Sequence, residues 1–167
     1  MSSNFKTERI SLRYPAMSDL DDFAEMNADS QIMQFIGSGV PYSLEKSSDT
    51  LTMLIDHWKT HGFGLWMLRN RQSESFIGFA VFNYPEGQDG IELGWRLRSE
   101  CWGKGYAFEA ANFALNYAKE NFDEYRLIHR IQTENKRSIN LALKLGSQFL
   151  RYEKDGDRDV AVYETIL

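Results

Sequence analysis

The chain has 167 residues, 43% hydrophobic and 26% charged, with a formal net charge of −5. That length predicts a single domain over residues 1–167, burying roughly 70% of its unfolded surface. The acidic balance argues against a nucleic-acid partner, which needs a dense basic surface, and suits a cationic partner such as an amine. No apolar stretch approaches the ~18 residues of a membrane span. The N-terminal MSSNFKTERISLR lacks the apolar run of a signal peptide, so a cytoplasmic location without membrane attachment is expected. The single Cys101 rules out an internal disulfide and gives no zinc constellation, so no metal is expected.

Taken in order, Thr7–Leu12 reads as a strand with Ile10 and Leu12 inward. Ser18 or Asp19 is placed to cap a helix through Asn27, with Asp21 and Asp22 favourable to its dipole. Ser43 begins a second helix carrying Leu51, Leu54, Ile55 and Trp58 at helical spacing. The loop between holds Met33, Phe35, Ile36 and Tyr42, either as core residues or as the lining of a pocket. Phe63–Arg69 and Phe76–Phe82 are two strands about a polar turn, with Trp66 packing between them, and 85–90 is a turn or loop.

Ile91, Leu93, Trp95 and Leu97 then alternate with Glu92, Gly94, Arg96 and Arg98, the pattern of a strand with one well-buried face. After a polar break and Gly103-Lys104-Gly105, Ala107, Ala110, Ala111, Ala114, Leu115 and Ala118 share one helix face. A strand, a glycine loop and a helix make a junction suited to an anion. The first helical N–H groups lack intrahelical partners, and the dipole adds to their partial positive charge. Gly103 and Gly105 allow close backbone approach, and Arg98 and Lys104 are placed to add charge. The string is neither a P-loop nor a dinucleotide fingerprint, since Lys104 precedes Gly105 and Phe108 replaces the third glycine.

Leu127–Gln132 supplies a further strand, followed by a helix with Ile139, Ala142, Leu143 and Leu145 apolar and Gly146 placed as its left-handed cap. Asp155-Gly156 is a hairpin-turn signal, and Val160 and Val162 alternate as in an edge or final strand.

The run ELGW, then Trp102-Gly103-Lys104-Gly105-Tyr106-Ala107 and Glu109-Ala110, resembles the acetyl-CoA-binding motif of the GNAT superfamily of N-acetyltransferases. The closest look is to its Rim-type branch, which acetylates ribosomal-protein N-termini. NKRSINLALKLG resembles the superfamily's next signature, and TERISLRYPAMSDLDDF and GFGLWMLRN…FIGFAVF resemble its first and central elements, so the likeness spans nearly the whole chain. It implies a mixed α/β (α+β) GNAT fold: a strongly twisted, mostly antiparallel sheet flanked by helices, with a split between two central strands. It also implies acetyl-CoA as co-substrate, the pyrophosphate held by loop N–H groups around Trp102–Ala107, and Asn135 against the CoA arm. Two departures stand out: Glu100 occupies the usual Gln/Arg position, and Ser147 replaces the usual Phe after Gly146. A carboxylate repels a pyrophosphate, so Glu100 is expected to point to solvent.

Direct attack by an amine needs a neutral amine, a polarised carbonyl and a proton for the departing thiolate. At pH 7 about one α-amine in seven is neutral, against about one lysine in 2,500, a difference that favours an α-amine acceptor. The family resemblance makes Glu92 the candidate to order a water relay as base, against the simpler reading of a strand residue that pairs or faces water. The superfamily's usual tyrosine acid is replaced by Ala142. The Rim-type serine is present as Ser138, whose hydroxyl would serve the sulfur or cap the helix. Family geometry assigns carbonyl polarisation to a strand N–H at Leu97. Cys101 is not expected as a nucleophile, and His57, His61 and His129 show no ligand or triad spacing. The acceptor is then a protein N-terminus or a small-molecule amine such as a polyamine, amino acid or antibiotic. From another class, a non-catalytic CoA-binding module remains open, and the aromatic content fits a homodimer.

Overall fold

The computed structural model describes residues 5–84, 90–123 and 126–167. Its frame is an eight-stranded sheet in the order β1-β2-β3-β4-β5-β6-β8-β7. The strands are β1 (Phe5–Lys6), β2 (Ile10–Arg13), β3 (Leu65–Asn70), β4 (Phe76–Asn83), β5 (Ile91–Leu97), β6 (Arg126–Gln132), β7 (Gln148–Asp155) and β8 (Arg158–Ile166). All neighbours are antiparallel except β5 and β6, which run parallel. This is the mostly antiparallel, split sheet flanked by helices that the motifs imply.

Helices cover both faces. On one, α1 (Leu20–Ala28), α2 (Ser30–Met33) and α3 (Leu44–His61) bury Phe23, Met26, Ile32 and Leu51 against Leu65, Met67, Phe79 and Val81. On the other, the alanine face of α4 (Tyr106–Asn121) packs on Trp66, Leu68, Ile77, Ala80 and Phe82. Alternate residues of β3 and β4 thus enter two cores, which is why LWML and FIGFAVF read as unbroken apolar runs. Trp66 is fully buried, with Phe5, Phe82, Phe113 and Tyr117 edge-on to its ring. The last helix, α5 (Lys136–Lys144), sets Ala142 and Ile139 on Ile131, Ala161 and Tyr163.

Several local expectations shift. Thr7–Leu12 is not one strand: Thr7–Arg9 form a tight turn between β1 and β2, held where the Glu109 carboxylate on α4 accepts the Thr7 hydroxyl at 2.5 Å and the Arg9 N–H at 2.7 Å, and only Ile10–Leu12 is strand. Asp19 holds the N-cap position of α1 without a side-chain cap. Its buried carboxylate instead takes the Ala16 N–H at 2.9 Å and pairs with Arg13. Ser43 caps α3 as expected, accepting the Lys46 N–H at 3.1 Å. Gly146, at φ +87°, follows α5 in the left-handed conformation. The β7–β8 turn is Gly156-Asp157, one residue later than the Asp155-Gly156 signal. Val160 and Val162 lie in the final strand, but that strand is interior, and β7 with its mostly exposed side chains forms the edge. The predicted turn at 85–90 falls, except for Gly90, outside the described residues.

The parallel ladder between β5 and β6 consists of Ile91↔Leu127 and Glu92↔Ile128, after which the strands part. His129 sits where they separate. Its Nδ1 lies 2.9 Å from the Leu93 carbonyl, which can only accept, so Nδ1 carries the proton. Nε2 then accepts from the Thr165 hydroxyl at 2.9 Å, and Thr165 in turn accepts from Ser147 at 2.6 Å. Burial, partly offset by the Leu93 carbonyl, lowers the His129 pKa to about 4, so the ring is neutral at physiological pH. Removing it leaves a cavity and an unpaired carbonyl. His129→Ala is expected to lower the unfolding free energy by roughly 2–4 kcal/mol in urea denaturation; a loss below about 1 kcal/mol would show that the wedge contributes little.

Candidate active site

The helix start after the split is open. Gly103 and Gly105 have φ of +72° and +82°, a conformation that strains any other residue, and Gly105 is the N-cap of α4 without a side-chain cap. The carboxylate best placed to cover those amides, Glu109 in the first turn, is drawn aside by Thr7 and by Arg9, whose Nε lies 2.7 Å away. Arg9 also donates to the Lys104 carbonyl at 2.8 Å and stacks 4.7 Å over the Tyr106 ring, fastening the loop from behind. Free N–H groups at a helix start, backed by the dipole, form a site for an anion.

A cleft of about 600 Å³ runs from this loop to the split and is lined by Leu97, Trp102, Gly103, Gly105, Tyr106, Ala107, Asn135 and Ser138. The Arg98 N–H donates to Ile77 on the β4 side at 2.9 Å. Adjacent strand amides point oppositely, so the Leu97 N–H faces the open side of the split. The Leu97 carbonyl accepts the Trp102 indole N–H at 3.0 Å, which fixes that ring at the cleft wall.

The cleft's positive charge does not come from the residues the sequence suggested. The Arg98 and Lys104 side chains line a separate cleft behind the loop, and Arg98 is held by Glu25, Glu100 and Asp22. Neither residue lines the larger cleft, and the Arg98 charge is already met by those carboxylates. Lys136, Arg137 and Lys144 of α5 line it instead, Arg137 stacking 3.9 Å over Trp102 and Lys144 4.4 Å over Phe108. Sequence reading missed these three and Arg9 because their neighbours in space are remote in the chain. The 3–4 spacing of Lys136, Arg137, Asn140 and Lys144 was the available signal. Glu100 is exposed, as expected, with its carboxylate on Arg98.

A second cleft, about 270 Å³, opens on the other side of the split and contains Glu92, Asn83, Arg130 and Asp155. The two meet at Phe35, Ile36, Trp95, Arg96, Asn135 and Ser138. Of the loop residues left open between core and pocket, Phe35 and Ile36 line both clefts, whereas Met33 is fully buried in the core. Arg158 and Gln132 fasten this loop through the carbonyls of Gln34, Ser38 and Gly37.

Burial raises the Glu92 carboxyl to about pH 7; Arg130 opposes the shift, and Glu153 and Asp155 add to it. Arg130 is engaged 3.0 Å from Glu153, which limits what it offers Glu92. Ser138 is not the helix cap. That role belongs to Asn135, whose Oδ1 accepts the Ser138 N–H at 3.2 Å. The Ser138 Oγ accepts the Trp95 indole N–H at 3.3 Å. Since indole can only donate, the serine's own O–H remains free to donate where the clefts join. Cys101 lines the larger cleft, but burial and Glu100 raise its pKa, leaving it a thiol.

The geometry suits an elongated ligand with an anionic end at α4 and its reactive end at the split. Residues 9–148 match the acetyltransferase (GNAT) domain family, and the chain belongs to that family. Relatives include the uncharacterized protein YkkB of Bacillus subtilis, 31% identical over 108 residues, which are 64% of this chain and 63% of that one. The uncharacterized N-acetyltransferase p20 of Bacillus licheniformis is 26% identical over 94% of this chain and 91% of its own. In three dimensions the chain superimposes on RimL, the ribosomal L7/L12 alpha-N-protein acetyltransferase in complex with coenzyme A, with a TM-score of 0.85. That match covers 99% of this chain and 98% of RimL at 15% identity, a likeness of fold. Among the described residues, no helix is long and apolar enough to cross a membrane.

The raised Glu92 pKa has a consequence for stability. The folded protein keeps this proton up to about pH 7, while the unfolded chain releases it near 4.5. The native state thus binds more protons between those values, and this group's unfavourable contribution grows as pH rises through the window. Glu92→Gln is expected to raise stability by roughly 2–3 kcal/mol at pH 8 and by little at pH 4.5, read from paired denaturation curves. An equal effect at both pH values would refute the shift.

Proposed function

We propose that the protein transfers the acetyl group of acetyl-CoA to a primary amine by direct attack, working as one unit over its whole length and in the cytoplasm. The observation that carries this reading is the meeting of the two clefts at the split, with Ser138 and Asn135 common to both and Glu92 within the smaller one. The larger cleft fits acetyl-CoA: open amides at Gly103–Ala107 and the cations of α5 suit the pyrophosphate, and Asn135 flanks the pantetheine arm. Acetyl-CoA supplies an acyl group already activated as a thioester.

The chain's own residues would then do three things. Glu92, with a pKa near the working pH, accepts the amine's proton through a water. The Leu97 N–H, fixed toward the split, stabilises negative charge growing on the carbonyl oxygen. As the new C–N bond forms and the C–S bond breaks, the Ser138 hydroxyl donates to the departing sulfur, which needs little help because a thiol pKa is about 8.5. An α-amine asks least of such a base. A protein N-terminus is one source of it, as for RimL's ribosomal substrate, and a small-molecule amine is the other.

Titration calorimetry with acetyl-CoA, followed by thiol release over a panel of α-amines, tests the proposal. Binding with turnover of at least one amine is expected, and Glu92→Gln should lower kcat by about 10²–10⁴. Below pH 7, log kcat/KM should climb with a slope near two, from Glu92 and the substrate ammonium, falling to one in Glu92→Gln. Binding without turnover of any amine would instead mark a CoA-binding module.

Ser138→Ala is expected to lower kcat by roughly tenfold while leaving acetyl-CoA affinity within about twofold, since the cap belongs to Asn135. A loss of stability with unchanged kinetics would assign Ser138 to packing.

A further inference from the structure

One arginine among the described residues has a buried side-chain N–H with no partner. Arg13, Arg69, Arg98 and Arg130 are each paired with a carboxylate. Arg96, at the junction of the two clefts, has no such partner within salt-bridge distance among the described residues. Its Nη1 donates to the neutral Asn27 amide oxygen at 2.5 Å, its guanidinium lies 5.1 Å over the Phe79 ring, and its Nε is buried without any acceptor. Burial lowers its pKa only to about 10, so it remains a cation at neutral pH. A buried N–H with no acceptor costs about 1–3 kcal/mol, a cost that a folded protein has reason to carry where a ligand supplies the missing partner.

The side chain also has a direction. On β5, Glu92, Gly94 and Arg96 share a face, opposite the face through which Leu93 and Leu97 join the core under α4. Both Glu92 and Arg96 line the smaller cleft, and Gly94 between them leaves its floor low. Arg96 also lines the larger cleft, where that cleft meets the smaller one.

We infer that Arg96 binds a carboxylate carried by the acceptor itself, so that the substrate is an α-amine with a carboxylate a few bonds away, as in an amino acid. This rests on the reading of the site as an acetyl-transfer centre. A planar fork of N–H donors suits a carboxylate, which would satisfy Nη or Nε while leaving the Asn27 bond in place. Glu92 and Arg96 lie on one face of β5 and both line the smaller cleft, so one molecule seated there can meet both. The same chemistry occurs in a peptide whose first side chain is acidic, and the test separates the two.

The test offers the common amino acids and their carboxamides, with tetrapeptides beginning in Glu or Gln, to the wild-type protein and to Arg96→Gln and Arg96→Lys, with thiol release as readout. For at least one acceptor, kcat/KM of the acid is expected to exceed that of its amide tenfold or more. Arg96→Gln should collapse that ratio toward one, chiefly through KM, and Arg96→Lys should restore part of it. A preference confined to Glu-first peptides assigns the carboxylate to a peptide side chain and upholds the role of Arg96. Acids and amides used equally by the wild type, a comparison that needs no variant, would overturn the inference. So would a fall in Arg96→Gln that leaves the ratio unchanged. If no amine is acetylated, the acetyl-transfer reading fails separately, and saturation-transfer NMR of the same compounds on CoA-loaded protein decides the inference. Acid signals lost in Arg96→Gln support it, and no preference for acid over amide refutes it.

Discussion

The structure depends on two parallel strands that pair for two residues and then separate. A fully zipped β5–β6 ladder would consume the amides on that edge and close the space between the clefts. Separation leaves strand N–H groups facing a gap, a cost that a sheet normally avoids. The gap is held open by polar packing. His129, neutral and doubly bonded, satisfies the Leu93 carbonyl and reaches back to Thr165 and Ser147, so the first residue past the ladder is paired while those beyond it stay available. A charged imidazole could not serve there, because Nε2 must accept.

A second constraint keeps the anion site empty of the protein's own anions. Glu109 in the first turn of α4 would stabilise its helix by facing the dipole, yet its carboxylate is held by Thr7 and Arg9 on the β1–β2 turn. The same arginine clamps the Lys104 carbonyl. One interaction therefore splits the N-terminal strand in two, anchors it to α4 and leaves the glycine loop facing outward. On the opposite wall, α5 delivers its cations over aromatic rings, which preserves their charge where carboxylate pairing would cancel it.

Local pattern made much of this legible. Period-two alternation marked β5 to the residue, and the alanine spacing marked the buried face of α4, because both depend on neighbours within one element. Ser43 and Gly146 were readable for the same reason. What depended on distant partners was not. Asp19, one of two cap candidates, holds the cap position but spends its carboxylate on Arg13, and Ser138, read either as a cap or as a group serving the sulfur, leaves the cap to Asn135. Arg98 looked available beside the glycines, but three carboxylates claim it, two of them on a helix some seventy residues earlier. Sequence spacing says which face a side chain leaves from; it does not say which charges meet it there.

The two polar residues on the inner face of β5 follow from one energetic logic. Glu92 is destabilised as a carboxylate and Arg96 is short of a partner, so each leaves the folded protein less stable than an apolar residue would. Arg13, Arg69, Arg98 and Arg130, by contrast, are each paired with a carboxylate. Two exceptions on the same face of one strand, four residues apart and both opening on the smaller cleft, are not expected from a sequence optimised for stability alone. They have complementary needs. A protonated amine offers Glu92 a counter-charge and a proton, and an anion offers Arg96 its missing acceptor. A molecule that carries both groups would relieve both strains on binding, whereas a simple amine would relieve only one. The strain in the unliganded protein thus converts directly into selectivity for what the cleft accepts.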